Sequence, residues 1–190
     1  TVVFFITLSI KSIAQTINYN NTLPVDTTIK KGVLPNGMTY YIKSTDVVKD
    51  AASYYIIQNV GSILENDDQQ GLAHFLEHMA FNGTESFPGK GILNTLQKYG
   101  AVFGKDINAY TSFDETVYNL SKIPTKDSLV DTCLTILKDW SNYLLLTDDE
   151  IDAERGVIKE EWRTRQSGQM RVFTATLPIT FNHSKYADRM

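Results

Sequence analysis

The stretch GLAHFLEHMAFNGT, Gly71 to Thr84, holds two of the chain's three histidines, four residues apart, with a glutamate just before the second. No other feature restricts the fold as much. Wound as a helix at about 100° per residue, Leu72, Ala73, Phe75, Leu76, Met79 and Ala80 fill one continuous arc. His74, Glu77 and His78 fill the opposite arc and are the only polar residues of that segment. The fold must therefore bury one side of this helix and turn the other toward a second element. His74 and His78 stand at i and i+4, which sets their Cβ atoms ~6 Å apart. Two imidazoles at that spacing can converge on one metal ion. Zinc suits nitrogen ligands and tolerates an open fourth position for water. Glu77 lies beside both rings, where it can take a proton from that water.

A catalytic zinc site usually takes three protein ligands, so a third must come from elsewhere in the chain. The segment TDDEIDAERGVIKEEWRTR supplies candidates. On the same angular map Ile151, Val157, Ile158 and Trp162 bound an apolar arc, and Glu154 and Glu161 fall inside it. A carboxylate there is costly unless it is paired or bound to metal. Glu150 lies near the same line, but Thr147-Asp148-Asp149-Glu150 reads as a capping box that accounts for it. Asp149, Asp152 and Glu160 read as a solvated stripe. Helical geometry nominates both Glu154 and Glu161 without choosing between them.

The rest of the chain gives that site a setting. With 190 residues there is enough chain for one domain with a real core. The net charge of −4 argues against a nucleic-acid partner, which needs a basic surface. Residues 1–14 carry a short apolar run, Val2 to Ile10, then Ser12-Ile13-Ala14, and read as the remnant of a secretory signal peptide. That run is too short for a stable membrane span. Polar residues 15–28 read as a tether, and an exported protein is expected. KKGVLPNGMTYYIKS has a hairpin signal at Pro35-Asn36-Gly37. AASYYIIQNV reads as a central strand. FPGKGILNTLQKYG contains a short helix ended by Gly100. AVFGKDINAYTS and ETVYNLSKI pair around a Ser112–Asp114 turn. PTKDSLVDTCLTILKDWSNYLL is a long amphipathic helix, and another opens at Thr147 and runs to about Arg165. The order strands, helix, strands, helices predicts an α+β fold: a mostly antiparallel sheet with helices packed on one face.

These residues together resemble the insulinase/pitrilysin family of zinc metallopeptidases, which includes the mitochondrial processing peptidases. The family pattern is H-x-x-E-H followed by a glutamate roughly 75 residues on. Glu154 follows His78 by 154 − 78 = 76 residues, within ERGVIKEEW. The resemblance implies Zn2+ held by His74, His78 and Glu154, with Glu77 as the catalytic base. Glu161, seven residues beyond Glu154, matches a second family glutamate and is implied as a supporting residue. NAYTS resembles the family's active-site edge strand, where Asn108 and Ala109 would align the backbone of an extended peptide or unfolded protein substrate. LPNGMTYYIK and LAHFLEHMAFNGT also resemble family stretches. The likeness covers about residues 29–190. It implies an N-terminal catalytic module, truncated at its C-terminus, that works with C-terminal modules of the same or a partner chain as a zinc-dependent endopeptidase.

Two other readings share features of this one. An S-ribosylhomocysteinase-like zinc enzyme also uses H-x-x-E-H, with a cysteine as third ligand. Cys133 is the one cysteine in the chain, and it sits in a helical stripe with Leu129, Ile136 and Trp140 that favours a buried thiol. A non-catalytic partner subunit of the same fold would typically lack motif residues, and all four are present. His183 is expected on the surface, without a role.

Overall fold

The computed structural model describes residues 24–126 and 128–189. The expected signal segment and most of the expected tether lie outside these residues. The chain forms two compact units, one ending at Asp46 and the other starting at Val47.

The first unit is a hairpin of β1 (Ile29–Val33) and β2 (Thr39–Lys43), paired antiparallel from Ile29↔Lys43 to Val33↔Thr39. Its turn falls at the expected place. Gly37 takes φ 88°, a left-handed conformation that glycine adopts without steric cost. The Met38 amide donates to Asn36 Oδ1 at 3.1 Å. Asp26 gathers the base of the hairpin, accepting from Thr28 and, at 2.8 Å, from Lys43 Nζ. The hairpin thus falls in a unit apart from the segment that follows it.

In the second unit β3 (Ala51–Gln58), β4 (Ile107–Thr111) and β5 (Thr116–Pro124) form an antiparallel sheet in the order β3-β5-β4. α1 (Leu72–Met79) packs against β4 and β5, and α3 (Leu129–Asn142) against β3 and β5. Ile56, Tyr118, Leu120 and Ile123 from the strands meet Leu129, Cys133, Ile136 and Trp140 of α3 in the core. α2 (Gly91–Gln97) adds Ile92 and Leu96 to it. Alternation along the strands turns Tyr55, Ile57 and Tyr110 outward, where they are exposed. The α+β reading therefore holds, and Cys133 lies buried in the stripe expected for it.

The structure departs from the sequence expectations in three places, and it adds a helix for which no expectation was formed. Ala73, Met79 and Ala80 of α1 are buried, but Leu72 and Leu76 remain 50% and 42% exposed. Helical period marks an apolar arc but not how much of it another element covers, and the Leu72 and Leu76 flank stays exposed. α4 (Asp148–Arg165) begins where expected, yet Thr147 at its N-cap makes no side-chain hydrogen bond, so the capping box is not closed. Its expected apolar arc is also largely open to solvent, with Trp162 64% exposed. The buried residue of α4 is Glu154. Finally, α5 (Gly168–Thr180) was not read from the sequence. It contains Pro178 and buries Leu177, while Val172, Phe173 and Ile179 are exposed. A helix with no continuous buried stripe and an internal proline carries little periodic signal.

The core is keyed to α1 through Trp140. Its indole stacks on Tyr118 at 5.2 Å between centroids, and Nε1 donates to the Ala80 carbonyl at 3.0 Å. Trp140→Ala should therefore destabilise the fold by about 3–5 kcal/mol, as large core truncations do. A urea midpoint unchanged by this substitution would show that α1 is anchored by other contacts.

Candidate metal centre

α1 is short, but both of its ends and one flank are held. Ala80, Phe81 and Asn82 follow it directly and are buried. The helix lies over β4 and β5, with its polar arc turned toward α4 and the end of β4. The two histidines of that arc meet each other and Glu161, and Glu77 meets Thr111.

His78 is gripped through both ring nitrogens. Its Nδ1 lies 2.8 Å from Glu154 Oε1, and its Nε2 lies 3.2 Å from His74 Nε2 and 3.2 Å from Glu161 Oε2. Glu161 Oε1 is 3.8 Å from His74 Nε2. The histidine rings meet edge to face at 4.7 Å. Among the described residues, His74, His78 and Glu161 are the group whose ligand atoms all fall within 4.8 Å of one another. Glu154 is not in that group. This departs from the expectation that Glu154 joins the two imidazoles and Glu161 supports from behind. The two glutamates lie on one stripe of α4, seven residues apart, so angle alone does not separate them. About 10.5 Å of rise along the helix does. Glu161 arrives at the Nε2 edge of His78 and Glu154 at the Nδ1 edge.

Glu154 is tied on its other oxygen as well. Asn82 Nδ2 donates to Oε2 at 2.6 Å, and Lys90 Nζ in turn donates to Asn82 Oδ1. Burial works against the ionised form of Glu154. The hydrogen bonds from Asn82 and His78, with the charge of Lys90, outweigh it and hold the carboxyl below its usual range. An ionised carboxylate only accepts, so His78 Nδ1 carries the ring proton. The lone pair of Nε2 is left facing His74 and Glu161. The sequence reading missed Asn82 and Lys90. An asparagine just after a helix looks like an ordinary terminator, and only the arrival of α4 gives it this partner.

His74 is held below its usual range by burial, reinforced by His78, against the opposite pull of Glu77 and Glu161. Burial thus favours its neutral form, the one in which an imidazole binds metal. Glu77 is buried outside the three-residue group, and its Oε2 accepts from Thr111 Oγ1 at 2.6 Å. Arg165, one turn beyond Glu161, pairs with Glu161 Oε1. Two imidazole nitrogens and one carboxylate oxygen on a single centre form a donor set that suits zinc with a position left for water.

Asn108 and Ala109 lie on β4, the last strand of the sheet. Bonds from the Ser121 amide to Asp106 and from the Ser112 amide to Glu115 show that even-numbered residues of β4 face β5. The amide and carbonyl of Ala109 and Thr111 therefore face the edge of β4 that carries no strand among the described residues. The Ala109 amide donates to Asn108 Oδ1 at 2.9 Å. Cys133 takes no part in the centre. It is fully buried among α3 core residues, and burial pushes its thiol up to about 11. His183 is exposed, as expected.

Residues 41–189 match the insulinase family, peptidase family M16. The chain is 38% identical over 170 residues to the probable zinc protease PqqL of Haemophilus influenzae and 40% identical over 167 residues to that of Escherichia coli. These alignments cover 90% and 88% of the chain but 18% of each relative, so the chain spans under a fifth of their length. The crystal structure of the first half of the E. coli periplasmic protease PqqL superposes with a TM-score of 0.83 at 39% identity. That superposition covers 89% of this chain and 36% of the other.

The His78 tautomer can be tested directly. In nitrogen-15 NMR spectra of the metal-free chain, His78 should carry its proton on Nδ1, and Glu154→Leu should release that preference. A ring protonated on Nε2 in the unaltered chain would overturn the assigned hydrogen bond.

Proposed function

The chain belongs to the insulinase family, peptidase family M16, and on that footing we propose that it is the catalytic module of a zinc-dependent endopeptidase acting on extended peptides. The observation that carries this reading is the meeting of His74 Nε2, His78 Nε2 and Glu161 within 4.8 Å, next to a buried glutamate outside the trio.

In this reading His74, His78 and Glu161 hold the metal. Glu154 orients His78 by accepting its Nδ1 proton, a common arrangement around metal-bound histidines. Zinc, when bound, polarises the scissile carbonyl and makes water more acidic. Glu77 takes the proton of the attacking water and delivers it to the leaving amide nitrogen. Thr111 occupies Glu77 Oε2, which assigns the proton to Oε1. The peptide joins β4 as a further strand, its backbone paired with the outward amide and carbonyl of Ala109. Asn108 gives up the Ala109 amide as the substrate carbonyl takes it. Backbone pairing of this kind binds with little demand on sequence.

The wider setting belongs to the same proposal. The apolar start of the chain and the periplasmic relative in E. coli support export. Among the described residues, no helix is long and apolar enough to cross a membrane. The length of the relatives supports work shared with further C-terminal modules.

Substitutions separate the roles. In the full-length protein, Glu77→Gln should keep zinc and lose nearly all hydrolysis. Glu161→Gln and His78→Ala should lose both. Glu154→Gln should keep zinc with affinity or activity lowered by about 10–100-fold. Metal content and peptide turnover measured side by side decide the matter. Zinc retained by Glu161→Gln but lost by Glu154→Gln would reverse the two glutamates.

A second test concerns the chain by itself. Residues 1–190 should bind zinc yet hydrolyse a quenched fluorescent peptide far more slowly than the full-length protein. Near-attack geometry and donors to the developing oxyanion are expected from beyond these residues. Equal turnover would make the module self-sufficient.

A further inference from the structure

α1 begins without a cap of its own. Gly71 stands at the N-cap with φ 91° and has no side chain to offer the first-turn amides. A residue six positions earlier does this instead. Glu65 Oε2 accepts the Gly71 amide at 2.9 Å, and Oε1 accepts the Ala73 amide at 2.8 Å. Glu65 is buried, and a buried carboxylate is costly unless it is matched. Two amides at the positive end of a helix supply the match. Glu65 is also held from behind. Lys185 Nζ and Arg189 Nη2 reach its backbone carbonyl at 3.3 and 3.1 Å. Arg189 is 2% exposed and pairs with Asp67 at 2.6 Å.

Ala73 immediately precedes His74. The bond that fixes the first turn therefore fixes the backbone from which the first imidazole projects. The last turn is fixed separately, by Trp140 on the Ala80 carbonyl and by Asn82 on Glu154. His78 answers to that end of the helix and His74 to the Glu65 end. The 3.2 Å meeting of their Nε2 atoms requires both.

We propose that Glu65 is a positioning residue for the metal centre, setting His74 against His78 and Glu161 through the Gly71 and Ala73 amides. The segment 185–189 steadies it through its backbone carbonyl. This inference rests on the zinc reading above.

The test is zinc affinity of the full-length protein, measured by competition with a chromophoric chelator and paired with thermal melts. E65Q keeps the side-chain size but replaces one accepting oxygen with an NH2 group that opposes an amide. It should raise the zinc Kd about tenfold, the lower end of the range for partners outside the ligand set. E65D keeps the charge but falls a methylene short, and should also raise the Kd; it carries the comparison if E65Q does not fold. S167A is the control for lost capping alone. Ser167 Oγ caps α5 at the Met170 amide, 3.1 Å away, and α5 carries no proposed site residue. S167A should lower Tm and leave the Kd unchanged. H78A marks loss of the centre itself. If the Glu65 variants bind zinc like the unaltered protein while H78A does not, the positioning role is overturned and the metal reading stands. If S167A weakens zinc as much as E65Q, the effect is general destabilisation and the role is overturned too. If H78A binds zinc normally, the metal reading fails and this inference falls with it.

Discussion

The contact on which this molecule turns is the carboxylate of Glu154, shared between His78 Nδ1 at 2.8 Å and Asn82 Nδ2 at 2.6 Å. α4 fully buries none of its apolar residues, with Ile151 and Ile158 half-buried. Its valine and tryptophan face solvent, and the residue it buries is an acid. Charged groups are poor general adhesives, since desolvation offsets most of their attraction. They are good at register. One carboxylate that must meet an imidazole and an amide together fixes the rotation and height of α4, and Glu161, two turns on, arrives at the far side of the same ring.

The opposite flank of α1 is organised by the sheet. Ile107, Ala109 and Thr111 alternate onto the face that packs beneath the helix, and Thr111 ends that series with a hydroxyl on Glu77. Strand period and helix period thus intersect at one side chain. The acid that lies outside the metal trio and the strand that would receive a peptide are joined by a single 2.6 Å bond. Movement of β4 is then felt at Glu77 directly.

Much of this was legible in the sequence, and the rest was hidden for identifiable reasons. The His74–His78 spacing declared a helix with a functional arc, because i and i+4 admit few other readings. The hairpin at Gly37, the strands around Ser112–Asp114 and the α3 stripe followed from local pattern. The order of Glu154 and Glu161 did not. Seven residues bring a helix back to nearly the same angle, and the difference between them is axial distance to a partner that the sequence does not locate. Leu72 and Leu76 looked buried because an apolar arc says nothing about the width of the surface beneath it. Asn82 and Glu65 were silent because their partners lie on other elements or across a loop.

The open edge of β4 carries a consequence of its own. Unpaired edge strands invite copies of a protein to zip together, and natural sheets blunt them. Among the described residues, one of the outward groups of β4 is covered locally, since Asn108 occupies the Ala109 amide. Such a plug is removable by a rotamer change, unlike a proline or a bulge. In the proposed reading it would shield part of the idle edge from other copies while leaving it available to a chain that offers a ladder of several bonds in place of a single amide oxygen.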